Sequence, residues 1–304
     1  MALSSYQIAV SALTIGDNTI YDVKQEEGFT TFTVTDGDDP FPLQWGSISG
    51  ADEVDARKIR LDIEMLNDPT TVQGFLNAFL PGSDVALRAM FPEFREEVTI
   101  SVRVRKRGRV RTIQDVNGVV TATLELTAAD PRLYGSTVNT MGVPVFSVGG
   151  DSLDLTAGAG ADLGFDLTAG AAADLGFDFT GLTSTGLVIC TNAGNVDTYP
   201  SFLFTPDSGG AMTAWTVTNQ TTGEVASFAT TLNPGSTMLV DFSMVATSKT
   251  GSPVTIAGSV VYSAWQQPRT PLRLIPGNNT LRFDVTAGTS GGATCLVSWQ
   301  NANL

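Results

Sequence analysis

The side chains most often recruited for chemistry are scarce in this chain, and one is missing altogether: its 304 residues include no histidine. Ser-His-Asp triads, Cys-His dyads and histidine-ligated zinc or iron centres all require an imidazole, so none can be assembled here. The two cysteines, Cys190 and Cys295, lie far apart and match no metal-ligand spacing, which makes buried, reduced thiols the expectation. A glycosidase pair is recognised by its separation in space, so the 31 carboxylates do not exclude one, but no pair stands out. No P-loop pattern is present.

Two stretches imitate ligand sites. Gly158, Gly160 and Gly164 space as G-x-G-x-x-x-G with no surrounding βαβ pattern, which is wrong for a dinucleotide loop. The same AGAGADLGF run echoes calcium-binding β-roll repeats, in which aspartate and carbonyl oxygens hold the ion. Its period, however, is twelve: DLTAGAGADLGF (154–165) is followed by DLTAGAAADLGF (166–177), identical at 11 of 12 positions. Two copies are too few for a solenoid, so residues 151–185 read as an insertion or linker, and neither metal nor cofactor is expected. The aromatics Trp215, Tyr262, Trp265 and Trp299 could line a sugar site, although strand alternation sends several of them to a core.

Arg103, Arg105, Lys106, Arg107, Arg109 and Arg111 place six of the 17 basic residues within nine positions. Two readings stand side by side: a solvated hairpin, or a basic patch that pairs with acidic neighbours in an assembly, making these six candidate subunit-interface residues. Nucleic-acid binding ranks behind both, because no aromatics are interleaved for stacking on bases.

The net charge of -14 divides evenly: residues 1–150 carry 13 basic and 20 acidic side chains, residues 151–304 carry 4 and 11. That field repels nucleic-acid backbones and anionic membranes. The N-terminal MALSSYQIAVSALTIGDN lacks a basic region followed by an apolar one, and no apolar run approaches the ~20 residues of a membrane span. Synthesis in the cytosol is therefore expected.

The elements that must position these residues are nearly all strands. Asp68-Pro69 followed by Val72, Phe75, Leu76 and Phe79, and stopped by Pro81-Gly82, predicts one short amphipathic helix near 69–80. Val98, Ile100, Val102 and Val104 alternate with polar residues as a strand, after which 106–109 reads as a turn. Val120 to Leu126 gives another strand, closing on Asp130-Pro131-Arg132-Leu133-Tyr134. From Gly186 onward short strands recur about every ten residues: Leu187–Cys190, Phe202–Phe204, Met238–Phe242, Leu281–Val285 and Cys295–Trp299, with turns at Thr222-Gly223, Asn233-Pro234-Gly235 and Pro276–Asn279. The expected organisation is mainly β: an N-terminal β-sandwich with one helix (1–150), the duplicated segment (151–185), and a C-terminal galectin-like or jelly-roll β-sandwich (186–304).

The order of these motifs resembles that of siphophage distal tail proteins. In the first half the resemblance rests on Tyr21-Asp22-Val23, the Gly- and Pro-rich stretch from Pro40 to Gly50, the strand Arg57 to Met65, the short helix, and Leu124 to Tyr134 with its Asp130-Pro131. In the second it rests on Asn192-Ala-Gly194, Tyr199-Pro200, Leu274-Ile-Pro-Gly277-Asn-Asn279-Thr-Leu-Arg-Phe283 and a closing strand with Trp299. The resemblance implies a non-enzymatic structural protein of the virion. Its N-terminal domains would form a hexameric ring continuing the tail tube, its galectin-like domains would project outward, and its partners would be the tail-tube protein, the hub or tail-associated protein and receptor-binding proteins. An acidic lumen would let DNA pass without sticking. Two alternatives remain: another tail-tube or tail-tip minor protein, and a carbohydrate-binding module of a cell-surface adhesin.

Overall fold

A computed structural model of the chain describes residues 3–29, 34–35, 39–40, 47–48, 53–94, 96–110, 118–147, 186–207, 210–243, 252–288 and 293–304. The duplicated segment at 151–185, the side chain of Arg109 and the whole of Arg111 lie outside the described residues.

The first half is built on an antiparallel sheet. The strands of this half are β1 (Gln7–Val10), β2 (Leu13–Gly16), β3 (Tyr21–Glu27), then β4 (Val34–Thr35), β5 (Asp39–Pro40), β6 (Ser47–Ile48) and β7 (Glu53–Val54), which pair separately as β4 with β7 and β5 with β6, and β8 (Arg57–Leu66). After helix α1 (Pro69–Ala78) come β9 (Asp84–Met90), β10 (Val98–Val110), β11 (Val119–Ala128) and β12 (Leu133–Ser147). Pairing gives the spatial order β2-β1-β9-β10-β11-β8-β3. Alternation decides which face is buried: Ile59, Leu61, Ile63 and Met65 of β8 and Val120, Ala122, Leu124 and Leu126 of β11 point inward, while the residues between them meet solvent.

The helix forms where the sequence predicts it. Asp68 caps it, its Oδ2 accepting from the Thr71 amide at 2.9 Å, and Pro69 occupies the first turn, where no amide donor is needed. Phe75 and Phe79 are buried in the first core, and Tyr21 reaches across to donate to the Thr71 carbonyl at 2.9 Å.

The turn expected at 106–109 is not there. β10 runs on to Val110, with a bulge between Val104 and Lys106 that sets two exposed residues, Arg105 and Lys106, in succession. The break in period 2 and the density of charge imitate a turn, but the residues belong to a continuous strand.

The second half packs two sheets around its own core. Its strands are β13 (Leu187–Asn192), β14 (Ser201–Pro206), β15 (Met212–Asn219), β16 (Glu224–Leu232), β17 (Met238–Asp241), β18 (Val254–Ile256), β19 (Ser259–Val260), β20 (Gly277–Gly288) and β21 (Ala293–Asn303). One sheet is β12-β21-β14-β17-β18-β19; the other is β13-β20-β15-β16. Between them lie Phe202, Phe204, Trp215, Phe228 and Phe283, with ring centroids 5.5–6.4 Å apart; Phe202–Phe204 and Trp215–Phe228 are stacked and the other contacting pairs meet at edge or tilted angles. The expected mainly-β fold class is borne out. Two local readings are corrected: Gly277 (φ 94°) already opens β20 rather than belonging to a turn through Asn279, and β21 continues past Trp299 to Asn303.

β12 serves both cores. Leu133 is buried in the first, Val143 and Val145 in the second, and Phe146 and Ser147 pair in parallel with Asp284 and Val285 of β20. The passage between cores therefore falls inside β12, ahead of residue 150 where the sequence reading divides the chain.

Candidate assembly interface

Four of the six basic candidates can be placed in full. Arg103 lies 3.2 Å from Asp84 and donates to the Gly82 carbonyl; Lys106 pairs with Glu125 at 2.8 Å. Arg105 is exposed and has no charged partner among the described residues. Arg107 has a different task. Its guanidinium donates to the Leu76 carbonyl and, at 3.0 Å, to that of Phe79, so it covers the C-terminal end of α1, where unpaired carbonyls and the helix dipole favour a cation. Arg107 is therefore tied up within its own chain and is set aside as an interface residue. Its signal in the sequence is merged with that of its neighbours, because nothing local distinguishes a cap for a helix some thirty positions upstream.

These cations occupy one side of a four-stranded patch whose register is continuous. Lys106, Glu125, Arg60 and Glu27 stand opposite one another across β10, β11, β8 and β3, as do Gly108, Thr123, Asp62 and Gln25. Within the patch Lys24 contacts Asp22 at 2.6 Å and Glu64 at 3.2 Å, and Thr123 donates to Asp62 at 2.7 Å. Among the described residues no strand pairs with the side of β3 that faces away from β8, nor, beyond Val104, with the side of β10 that faces away from β11. Sequence reasoning missed the acidic member of this arrangement, β3, because its carboxylates are spread over seven residues and only the register brings them into line with β10.

Below the patch Glu26 turns inward, where its Oε1 accepts from the Phe29 amide at 2.6 Å, and burial raises its pKa above the usual carboxylate range. The buried Arg57 donates to the carbonyls of Gly28, Phe29 and Pro131, and desolvation lowers its pKa. It thereby ties the end of β3 to the corner after β11. At that corner Tyr134 donates to Asp130 Oδ2 at 2.6 Å, burial pushes the Tyr134 phenol well up, and the Arg132 guanidinium lies 5.0 Å from the centre of the Tyr199 ring in the second half. The Asp130-Pro131 and Tyr134 motif thus aims β12 into the second core.

The second-half motifs are structural as well. Asn192 donates to the carbonyls of Val196 and Leu274 and accepts from the amides of Gly194 and Ala302. A Cβ on Gly194 would collide with the Ala302 carbonyl, so this glycine lets the chain close over β21. Asn279, wholly buried, donates to Ile275 and Gly277 carbonyls and accepts from the Ile275 amide and the Asn219 side chain.

Other candidate chemistry dissolves on inspection. Trp215 and Trp265 are fully buried and Trp299 nearly so, which leaves Tyr262 alone of the four at the surface, stacked 4.3 Å beneath Arg269. An aromatic sugar platform cannot be built from the other three. Cys190 and Cys295 are buried free thiols; desolvation pushes Cys190 up to about 12 and Cys295 well up. An open groove of about 610 Å³ between α1, β1 and β9, lined by Val10, Leu13, Ala78 and Val85, offers no titratable group. Among the described residues no cluster of acidic or cysteine side chains is arranged to hold a metal ion, and no helix is long and apolar enough to cross a membrane.

No family model and no curated protein matches the sequence. Solved structures do. One described as "Crystal Structure of SPP1 Dit (gp 19.1) Protein, a Paradigm of Hub Adsorption Apparatus in Gram-positive Infecting Phages" superposes with a TM-score of 0.60 at 13% identity, covering 98% of this chain and 99% of that one. The chain has the fold of this Dit protein. Both halves and the β12 strand between them fall within the match, which bears out the distal-tail resemblance at the level of fold. The phage P2 baseplate in its activated conformation with Ca also matches, with a TM-score of 0.49, 11% identity and coverage of 96% and 97%.

Proposed function

We propose that this protein is a structural component of a long-tailed phage tail tip, in which six copies form a ring joining the tail tube to the hub and receptor-binding apparatus. The observation that carries the reading is the end-to-end Dit fold: two β units in the same order over nearly the full length of both chains. The patch agrees with it, since a ring subunit needs two different lateral surfaces and β10 and β3 present two edges of unlike charge. The ring partners would be copies of the chain itself, with the tail-tube protein on one side and hub or receptor-binding proteins on the other. The chain would act at the virion tail tip after assembly in the host cytoplasm, and without catalysis. The division into a ring-forming unit, a duplicated segment and an outer sandwich is part of the same reading.

Light scattering of the purified protein, with negative-stain images of the same sample, tests it. A six-fold ring with a central channel is the expected result. A monomer that neither tube nor hub proteins can close into a ring would overturn it.

A further inference from the structure

Resting on the ring reading above, we propose that a second copy of this chain docks edge to edge, its basic β10 lying beside the acidic β3 of the first. The charges on the two edges dictate this head-to-tail contact. From Arg103 to Val110 the β10 strand carries five basic side chains and no acidic one; from Tyr21 to Glu27 the β3 strand carries three acidic and one basic. The strands sit at opposite sides of the patch, three inter-strand spacings or about 14 Å apart.

Internal pairing does not exhaust these charges. Arg103 is matched by Asp84, Lys106 by Glu125, and Lys24 serves both Asp22 and Glu64. Arg105 on one edge and Glu27 on the other remain exposed without an ion-pair partner among the described residues; Glu27 accepts only from Gln25, at 3.2 Å. The row Lys106–Glu125–Arg60–Glu27 alternates in sign and ends positive on β10 and negative on β3. Setting a second copy beside the first continues that alternation across the boundary.

Strand direction allows the same continuation. The four strands are successively antiparallel, so β3 runs opposite to β10. Copies related by rotation about an axis along the strands therefore place β3 of one antiparallel to β10 of the next, with unpaired backbone groups facing each other. Two-fold pairing of β10 with β10 or of β3 with β3 would oppose like charges, which costs free energy and excludes the wrong partner arrangement. The surviving contact is heterologous, the kind that closes into rings.

The test is a charge swap between two positions that hold no internal ion pair, read by sedimentation of the full chain across a concentration series at low and high salt. Glu27→Lys should weaken self-association at least tenfold, and Arg105→Glu should do likewise. The combined Glu27→Lys, Arg105→Glu chain should recover most of the loss, and 1 M NaCl should weaken the wild type. Unchanged melting temperatures guard against misfolding, with Glu27→Gln as the milder variant if Glu27→Lys melts early. Rings that form equally well in the single variants would overturn this contact while leaving the ring reading intact. Loss without recovery in the swap would overturn the pairing, and a wild type that never associates, even with tube and hub proteins added, would overturn both.

Discussion

Asn279 offers the sharpest test of how the second sandwich is held together. Its side chain is fully buried and makes four hydrogen bonds: Nδ2 to the carbonyls of Ile275 at 2.7 Å and Gly277 at 3.1 Å, and Oδ1 from the Ile275 amide at 3.0 Å and Asn219 Nδ2 at 3.3 Å. Each such bond contributes about 1 kcal/mol net, and stranding a buried partner costs more. Asn279→Ala should therefore destabilise the sandwich by about 3 to 5 kcal/mol, lowering its melting temperature by roughly 10 to 15 °C for a unit of this size. The neighbouring Asn278 is exposed and only accepts from Thr191, at 2.8 Å, so Asn278→Ala is the matched control and should cost less than about 1 kcal/mol. Three of the four tryptophans, Trp215, Trp265 and Trp299, lie in this core, so tryptophan fluorescence during urea or thermal unfolding reports it directly. Equal effects of the two substitutions would refute the bracing role assigned to Asn279.

Removing the Arg107 cap by Arg107→Ala should cost the first unit about 1 to 2 kcal/mol, measured as faster hydrogen exchange in the last turn of α1, without the change in salt-dependent association expected of Arg105. Cys190 and Cys295 should resist thiol reagents until the chain unfolds. Because burial raises their folded-state pKa, the native state holds protons that the unfolded state releases; stability should be level below about pH 8 and fall as pH rises from there toward about 12, and the Cys190→Ala, Cys295→Ala double variant should flatten that fall. Finally, β12 ends at Ser147, paired with Val285, and the chain re-enters at Gly186, whose carbonyl accepts from Phe283. Replacing the 38 residues 148–185 by a four-residue Gly-Ser link should leave the fold intact and raise its stability by about 2 kcal/mol from loop-closure entropy; an unfolded product would show that the segment is required.

Legibility in the sequence followed the range of the interaction. The helix was readable because its cap, its Pro69 and its apolar stripe all lie within twelve residues. Strands with clean alternation, such as β8 and β11, declared their buried face directly. β10 was misread beyond Arg105 because a bulge shifts the period by one residue, a feature fixed by the partner strand rather than by local preference. The roles of Arg107, Asn192, Asn219 and Asn279 were not legible for the same reason: each satisfies backbone groups, several of them tens of residues away. The basic half of the candidate interface stood out as a run of charge. Its acidic counterpart on β3 emerged only when the register placed Glu27 and Lys106 at the two ends of one row.

In the proposed ring, the placement of charge would let one chain combine a specific lateral contact with an outward-facing module. Of the 11 acidic residues in 151–304, six fall in the duplicated segment 151–185, which holds no basic residue; the sandwich from 186 onward keeps five acidic and four basic residues and is close to neutral. Concentrated, opposed charge therefore belongs to the first unit, where in the proposed contact β10 and β3 would use it to choose a partner and a register. The two units are joined by a strand and not by a loose linker. β12 pairs with β10 through Tyr134 and Gly135, with β21 from Leu133 to Val145, and with β20 at Phe146 and Ser147. Gln300 of β21 also donates to the Gly135 carbonyl at 2.8 Å. Turning one unit against the other would break several backbone hydrogen bonds at once, whereas a flexible linker would break none. An oligomer closed through the first unit would consequently present its outer sandwiches at a fixed angle and height, as a scaffold that positions further proteins must.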